Sequence, residues 1–201
     1  MAEINDDNKA LIRFLNNLMP LSDEIIELAI QQTFNINVRK NSIITCPKEQ
    51  TDDCLFLILK GIIRGFIIDE GKDITAWIVA ENTLFGNIRN PGVLKPTYNE
   101  QYQALEDTDL IVLPYSFIDK LYDFFPETNI LARKLLAINY HISQERSILS
   151  RIPSAESRYK QFQEGHPSIK FRVPLKYLAS YLGMRVETLS RLRKKAKDDK
   201  N

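Results

Sequence analysis

The chain is poor in the residues that most often announce chemistry: 201 residues hold two cysteines, two histidines and one tryptophan. Cys46 and Cys54 are too few for a disulfide framework or a four-cysteine iron–sulfur cluster, and they are expected to pack as buried side chains. His141 and His166 have no neighbour at metal-ligand spacing, so no metal site is expected. No run reaches the ~18 apolar residues of a membrane-spanning helix. Met1 to Asn8 is polar and acidic, without the basic-then-apolar pattern of a secretory signal, so the expected location is cytoplasmic. There is no Gly-rich phosphate loop, no Gly-x-Ser-x-Gly, no His-Glu-x-x-His and no Cys–His nucleophile arrangement. Paired carboxylates at Asp52-Asp53 and Asp198-Asp199 fall in a turn and a tail. An enzyme is not expected.

What is present is an uneven charge. Residues 151–201 hold 13 Lys/Arg against 5 Asp/Glu, a net +8, whereas residues 1–150 hold 14 against 21, a net −7. A basic module appended to an acidic one suits a chain with one end facing a polyanion, although a solvated tail gives the same sum. Hydrophobic content of 44% with 26% charged residues is enough to bury a real core.

Leu11, Phe14, Leu15 and Leu18 recur at helical spacing up to Pro20, and Ser22-Asp23-Glu24 opens a second helix carrying Ile25, Ile26, Ala29 and Ile30. From about Phe34 the pattern becomes short apolar runs separated by turn residues, as in an all-β sandwich or barrel. Phe56–Ile68 and Ile74–Val79, joined by the turn at 69–73, are expected to form one hairpin. A loop spans Gly86 to Thr97, and a last strand runs from about Tyr102 to Leu113. Helix resumes near Ser116 and after Pro126, where Leu131, Leu135, Ile138, Ile142 and Leu149 lie at heptad-like steps. That stripe suits either pairing with a second copy or packing on the chain's own β-domain. Pro153 marks a hinge.

The most specific signal runs from Val173 to Lys195. Pro174 suits a first helical turn. Leu175, Leu178 and Leu182 form a buried stripe, Ala179 allows a close helix crossing, and Gly183 supplies a turn. A second helix is expected to bury Val186, Leu189 and Leu192. A small residue, glycine at +4 and an aliphatic at +10 make a helix-turn-helix pattern. A helical hairpin with a merely soluble basic face is the competing reading. Arg185, Glu187, Thr188, Ser190, Arg191, Lys194 and Lys195 are the candidate DNA contacts. Arg191 suits guanine O6 and N7, and Glu187 suits cytosine N4. Arg185, Arg193, Lys194 and Lys195 suit phosphates.

These residues, together with Leu57-Ile-Leu-Lys-Gly61, Arg64-Gly65, Leu84-Phe-Gly86 and Gln103-Ala-Leu-Glu-Asp107, resemble the Crp/Fnr superfamily of bacterial regulators, and its Bacteroidetes branch in particular. The resemblance implies an α+β chain. Its parts would be a double-stranded β-helix (β-roll or jelly roll) sensor over 1–125, a dimerisation helix over 126–152 and a winged-type helix-turn-helix over 153–201. It also implies a homodimer on double-stranded DNA. The family's base-reading Glu and Arg match Glu187 and Arg191. Val186 stands where the catabolite-activator type has arginine, which implies a different operator. Arg185 replaces the usual helix-capping Ser or Thr, at a cost of about 1 kcal/mol.

Family members that bind cyclic nucleotide use a Gly-Glu pair on the ribose and an Arg-Ser pair on the phosphate. Here the matching pairs read Gly86-Asn87 and, by an ungapped count back from Gln103-Ala104, Tyr98-Asn99. A buried phosphate without its arginine is heavily penalised, so cyclic AMP is not expected to bind tightly. Arg64, Trp77, Gly86, Asn87, Arg89, Lys95, Tyr98, Asn99 and Tyr102 are candidates for a pocket taking an unidentified small-molecule effector, with core packing or surface the alternative for each. A ligand-binding or protein-interaction module with a vestigial helix-turn-helix is the other functional reading.

Overall fold

In the computed structural model, which describes residues 6–47, 53–88 and 97–198, the chain opens with α1 (Asp6–Asn16) and α2 (Asp23–Gln32). The Ser22 hydroxyl accepts from the Ile25 N–H and caps α2, which satisfies one of the donors every helix start leaves open. Leu11, Leu15, Ile25 and Ala29 then bury their apolar stripe against Leu57, Ile111 and Leu113 of the sheet that follows.

Eight strands come next: β1 (Phe34–Val38), β2 (Ile43–Ile44), β3 (Cys54–Lys60), β4 (Ile62–Asp69), β5 (Lys72–Ala80), β6 (Leu84–Gly86), β7 (Gln101–Ala104) and β8 (Thr108–Pro114). They pair antiparallel in two four-stranded sheets of order β1-β8-β3-β6 and β2-β7-β4-β5, the topology of a jelly roll. Phe56, Ile58, Ile63, Phe85, Ala104, Leu110 and Val112 fill the space between the sheets.

Two expected strands prove to be four. The stretch Phe56–Ile68 divides at Gly61, whose φ of 115° only glycine adopts comfortably, with the Thr108 side chain standing where a Cβ would lie. The chain there leaves one sheet for the other. Lys60, exposed, and Gly61 are turn residues set between apolar runs, but the strands on either side are largely buried and give no sign that the chain changes sheets. The expected strand Tyr102–Leu113 likewise divides into β7 and β8 around buried Leu105. The β4–β5 hairpin is as expected and turns through Glu70 (φ 46°) and Gly71 (φ 76°), the left-handed pair that suits a two-residue hairpin.

The cysteines are corrected as well. Cys46 and Cys54, with Cα atoms 5.8 Å apart, form a disulfide joining the chain after β2 to the start of β3 in the facing sheet. Two cysteines make no framework, but two sheets packed face to face bring these within bonding reach.

Helices α3 (Tyr115–Phe124) and α4 (Thr128–Arg151) follow the roll, then α5 (Ala155–Gly165), α6 (Leu175–Tyr181) and α7 (Val186–Asp198). The stripe read along α4 is divided in the fold. Leu131, only 6% exposed, and Leu135 pack into the core beneath α1–α3, and Leu149 packs on the C-terminal module. Ile138 and Ile142 stay exposed, joined by Ile130, Leu136, Tyr140 and Ile148. The wing expected of the C-terminal module has no strand among the described residues; between α5 and α6, where Pro167 and Pro174 each lack a backbone donor, the chain runs through successive turns.

Candidate nucleic-acid interface and its anchorage

Pro174 is the N-cap of α6, one place earlier than expected. Tyr177, Leu178, Ala179 and Leu182 are buried, whereas Leu175 is only half so. Beyond α6, Gly183 takes φ 60° with open space around its Cα, so backbone conformation rather than crowding calls for glycine. The Gly183 N–H bonds to the Ser180 carbonyl and the Met184 N–H to the Ala179 carbonyl. Together these two bonds close a Schellman motif. Arg158 of α5 clamps the same turn: its guanidinium donates to the carbonyls of Leu182 (2.7 Å), Gly183 (3.2 Å), Ile152 and Pro153.

On α7, Leu189 is fully buried. At 100° per residue, Glu187, Ser190, Arg191 and Lys194 share roughly a quarter to a third of the helix circumference on the opposite side. All four are exposed. Arg185 precedes the helix, also exposed, with its carbonyl accepting from the Leu189 N–H. Thr188 is half-buried at the flank. Three readings change. Val186, expected in the core, is 39% exposed because the step that buries Leu189 swings it to the side. Arg193, expected at phosphates, turns inward and donates to the Lys170 carbonyl at 2.9 Å. Lys195 reaches back to Glu156 on α5 at 2.9 Å.

The residues expected to line an effector pocket separate into two groups. Trp77 lies across from Gly65 on the neighbouring strand, where any Cβ would run into the indole, and it packs with Phe85 and Tyr102. Its N–H donates to Glu100 at 2.7 Å. Burial pushes the Tyr102 phenol up to about 12, with Glu100 and Asp53 adding to the shift, so it stays protonated. Gly86, at φ 136°, sits against the Cys54 carbonyl, and Asn87 faces Asp53 while its carbonyl accepts from the Tyr115 hydroxyl. Tyr98 is 58% exposed and Asn99 is exposed. Arg89 and Lys95 lie outside the described residues.

Arg64 belongs elsewhere. It is 1% exposed, and its guanidinium donates to both carboxylate oxygens of Asp73, to Thr75 and to Gln103. Phe66 and Tyr177 rings lie 4.2 and 3.7 Å from its guanidinium carbon. Four bonds and two rings leave it little capacity for an effector. It joins the β-roll to α6 instead.

More contacts run along that junction. The Ser180 hydroxyl accepts the Thr75 N–H at 2.9 Å, and Arg172 pairs with both Glu81 (2.6 Å) and Glu106. The Arg172 hydrogen bonds hold the Glu81 carboxyl down to about 2, against the pull of desolvation. Ile62, Ile78 and Leu105 of the roll share one core with Ile169, Val173, Leu178, Ala179 and Leu189. Ala179 is therefore small for α6 to settle on β5 as well as to cross α7. None of these partners is near its mate in sequence, so no local pattern announces them.

The chain is thus a jelly roll, one long helix and a helix-turn-helix seated against the roll. No protein-family model matches the chain. It is 30% identical over 151 residues to the fumarate and nitrate reduction regulatory protein of Vibrio cholerae, and 27% identical over 151 residues to electron transport regulator A of Shewanella oneidensis. Each match covers 69% of this chain, and the chain spans 59% of the length of each relative. In fold it is similar to FixK2 of Bradyrhizobium japonicum, with TM-score 0.68 and 17% identity over 83% of this chain and 85% of that one. A Crp/Fnr-family protein of Eubacterium rectale matches with TM-score 0.65 and 19% identity, over 91% and 88%. In sequence and in fold the chain resembles the Crp/Fnr superfamily, to which the Eubacterium rectale protein is assigned. The relatives are named as regulators.

Proposed function

We propose that this chain is a sequence-specific DNA-binding transcription regulator working as a homodimer in the cytoplasm. The observation that carries the reading is the α7 face: Glu187, Ser190, Arg191 and Lys194 stand exposed together on a helix fixed by the Gly183 turn and the Arg158 clamp. Glu187 and Arg191 read base edges. Arg185, Thr188 and Lys194 hold the backbone, and Lys195 exchanges its solvent-exposed Glu156 partner for a phosphate, since a surface pair is worth only about 0.2–1 kcal/mol.

The working units are the sensor over 1–125, the dimer helix over 126–152 and the reader over 153–201. Pairing runs along α4 through Ile138 and Ile142 from the expected stripe, extended by Ile130 and Ile148, which lie within a third of the helix circumference. Leu131 is committed to its own chain. An effector among Trp77, Gly86, Asn87 and Tyr102 would act by favouring one seating of α4 over another. That seating sets the spacing of two recognition helices, which must sit about 34 Å apart on one DNA face. Cyclic AMP is not that effector, because the Tyr98-Asn99 position offers its phosphate no cation; calorimetry returning micromolar affinity would refute this.

Selection from random duplex DNA tests the main reading. The expected product is a two-fold symmetric site with half-sites about one turn apart, and Arg191→Ala should change base preference at one position per half-site. If neither purified protein nor protein in cell extract enriches any site, the chain is a ligand-binding module whose helix-turn-helix no longer reads DNA.

A further inference from the structure

A cavity of about 280 Å³ opens where α4, β5, α5 and α6 meet, outside the β-roll interior. Arg146, Arg158 and Tyr181 line it with Ser147, and Ala76 and Leu149 supply apolar wall. No acidic residue is among its lining.

The two guanidinium groups are both half-buried and, among the described residues, neither bonds a carboxylate. Arg158 spends four N–H bonds on backbone carbonyls, leaving one of its five donors. Arg146 spends one, on the Ser143 hydroxyl at 2.9 Å, leaving four. Tyr181 and Glu100, the latter engaged by the Trp77 N–H, both pull on Arg146 electrostatically without bonding it. Desolvation weighs against the charged form of Arg146, the ordinary consequence of partly burying a cation that no carboxylate bonds. Two such cations beside a half-exposed apolar wall call for an anion with an apolar body. The cavity is just below the size of drug-sized ligand pockets, which run from ~300 to ~1,000 Å³, so it suits a small ligand.

We infer that this junction is a second ligand site, taking a small organic anion whose phosphate or carboxylate meets Arg146 and Arg158 while its apolar body lies on Ala76 and Leu149. Arg146 lies one turn past Ile142, about 40° around α4, so the site sits at the edge of the seam proposed above. The ligand would touch all three parts of the chain at once, through β5, α4 and α6. The inference requires no DNA binding, so its test and the site selection fail independently.

Calorimetry on the full chain with phenyl phosphate and benzoate, and with benzyl alcohol as the neutral body, tests it. Saturable binding of at least one anion is expected, with benzyl alcohol inert; the tighter anion identifies the head group. Trp77 is the sole tryptophan and donates to Glu100, so its fluorescence should shift with the same midpoint as Glu100 is released from the pull of Arg146. Arg146→Gln should weaken binding about tenfold or more while leaving the circular dichroism spectrum unchanged, because it gives up charge-assisted bonds at a half-exposed helix position. Ala76→Leu, which narrows the cavity from its apolar side without altering charge, should weaken it as well. Absence of saturable binding by both anions, equal binding of benzyl alcohol, or an unchanged affinity in Arg146→Gln would each overturn the site.

Discussion

Arginines divide the labour of this molecule according to what surrounds each, which their spacing in the chain does not disclose. Arg191 and Arg64 both look like ligand-facing cations in the sequence. One stands exposed on α7, whereas the other is buried between Phe66 and Tyr177 with its donors spent on Asp73, Thr75 and Gln103. Arg172 attracted no notice in the sequence, yet it ties the C-terminal module to two carboxylates of the roll. Its tie carries a pH signature. Glu81 is held at about 2, below the usual 4.5, so its ion pair contributes fully above pH ~4.5 and is lost as pH falls toward 2. Because both groups are about a third exposed, the contribution is modest, about 0.2–1 kcal/mol per pair. The melting temperature of the native chain should therefore fall more steeply between pH 4.5 and 2.5 than that of Arg172→Gln. Parallel slopes would show that the pair contributes nothing to folding.

Elements with local causes were legible and elements with distant causes were not. The α2 cap at Ser22, the Glu70-Gly71 hairpin and the α6–α7 turn each rest on residues within a few places of one another, and each lies where the pattern puts it. Lys60-Gly61 is a turn by composition, but that the chain changes sheets there depends on packing against Thr108, 47 places on. Gly183 offers the cleanest test of a local cause. Its site has room for a Cβ, so Gly183→Ala probes only the left-handed backbone at φ 60°, which should cost about 1–2 kcal/mol. In a chain of this size that lowers the melting temperature by several degrees, about 2–4 °C per kcal/mol. Gly183→Asn should lose less, since asparagine tolerates this region. Equal melting of all three proteins would mean that the turn relaxes to another conformation.

At the scale of the whole molecule, the charge split into an acidic first part and a basic C-terminal module suggests two independent bodies, and the packing argues otherwise. The C-terminal module beyond Pro153 is too short to close a large core by itself, and a segment near 50 residues seldom folds without a staple. Its core here is completed by Ile62, Ile78 and Leu105 from the roll, all nearly or wholly buried, with the Arg64–Tyr177 stack and the Thr75–Ser180 bond beside them. Binary pattern shows that Ile78 faces a core but not which core, since sequence separation hides the docking of α6 on β5. The two parts should consequently unfold as one. Calorimetric melting of the full chain is expected to give a single transition, and residues 153–201 expressed alone should show weak helicity without a cooperative melt. Ile78→Ala, which removes from a strand of the roll atoms that roof the C-terminal module's core, should destabilise by about 2–4 kcal/mol and keep the transition single. Two separated transitions, or a fragment that melts cooperatively with full helicity, would show that the C-terminal module carries its own core and meets the roll only at the surface.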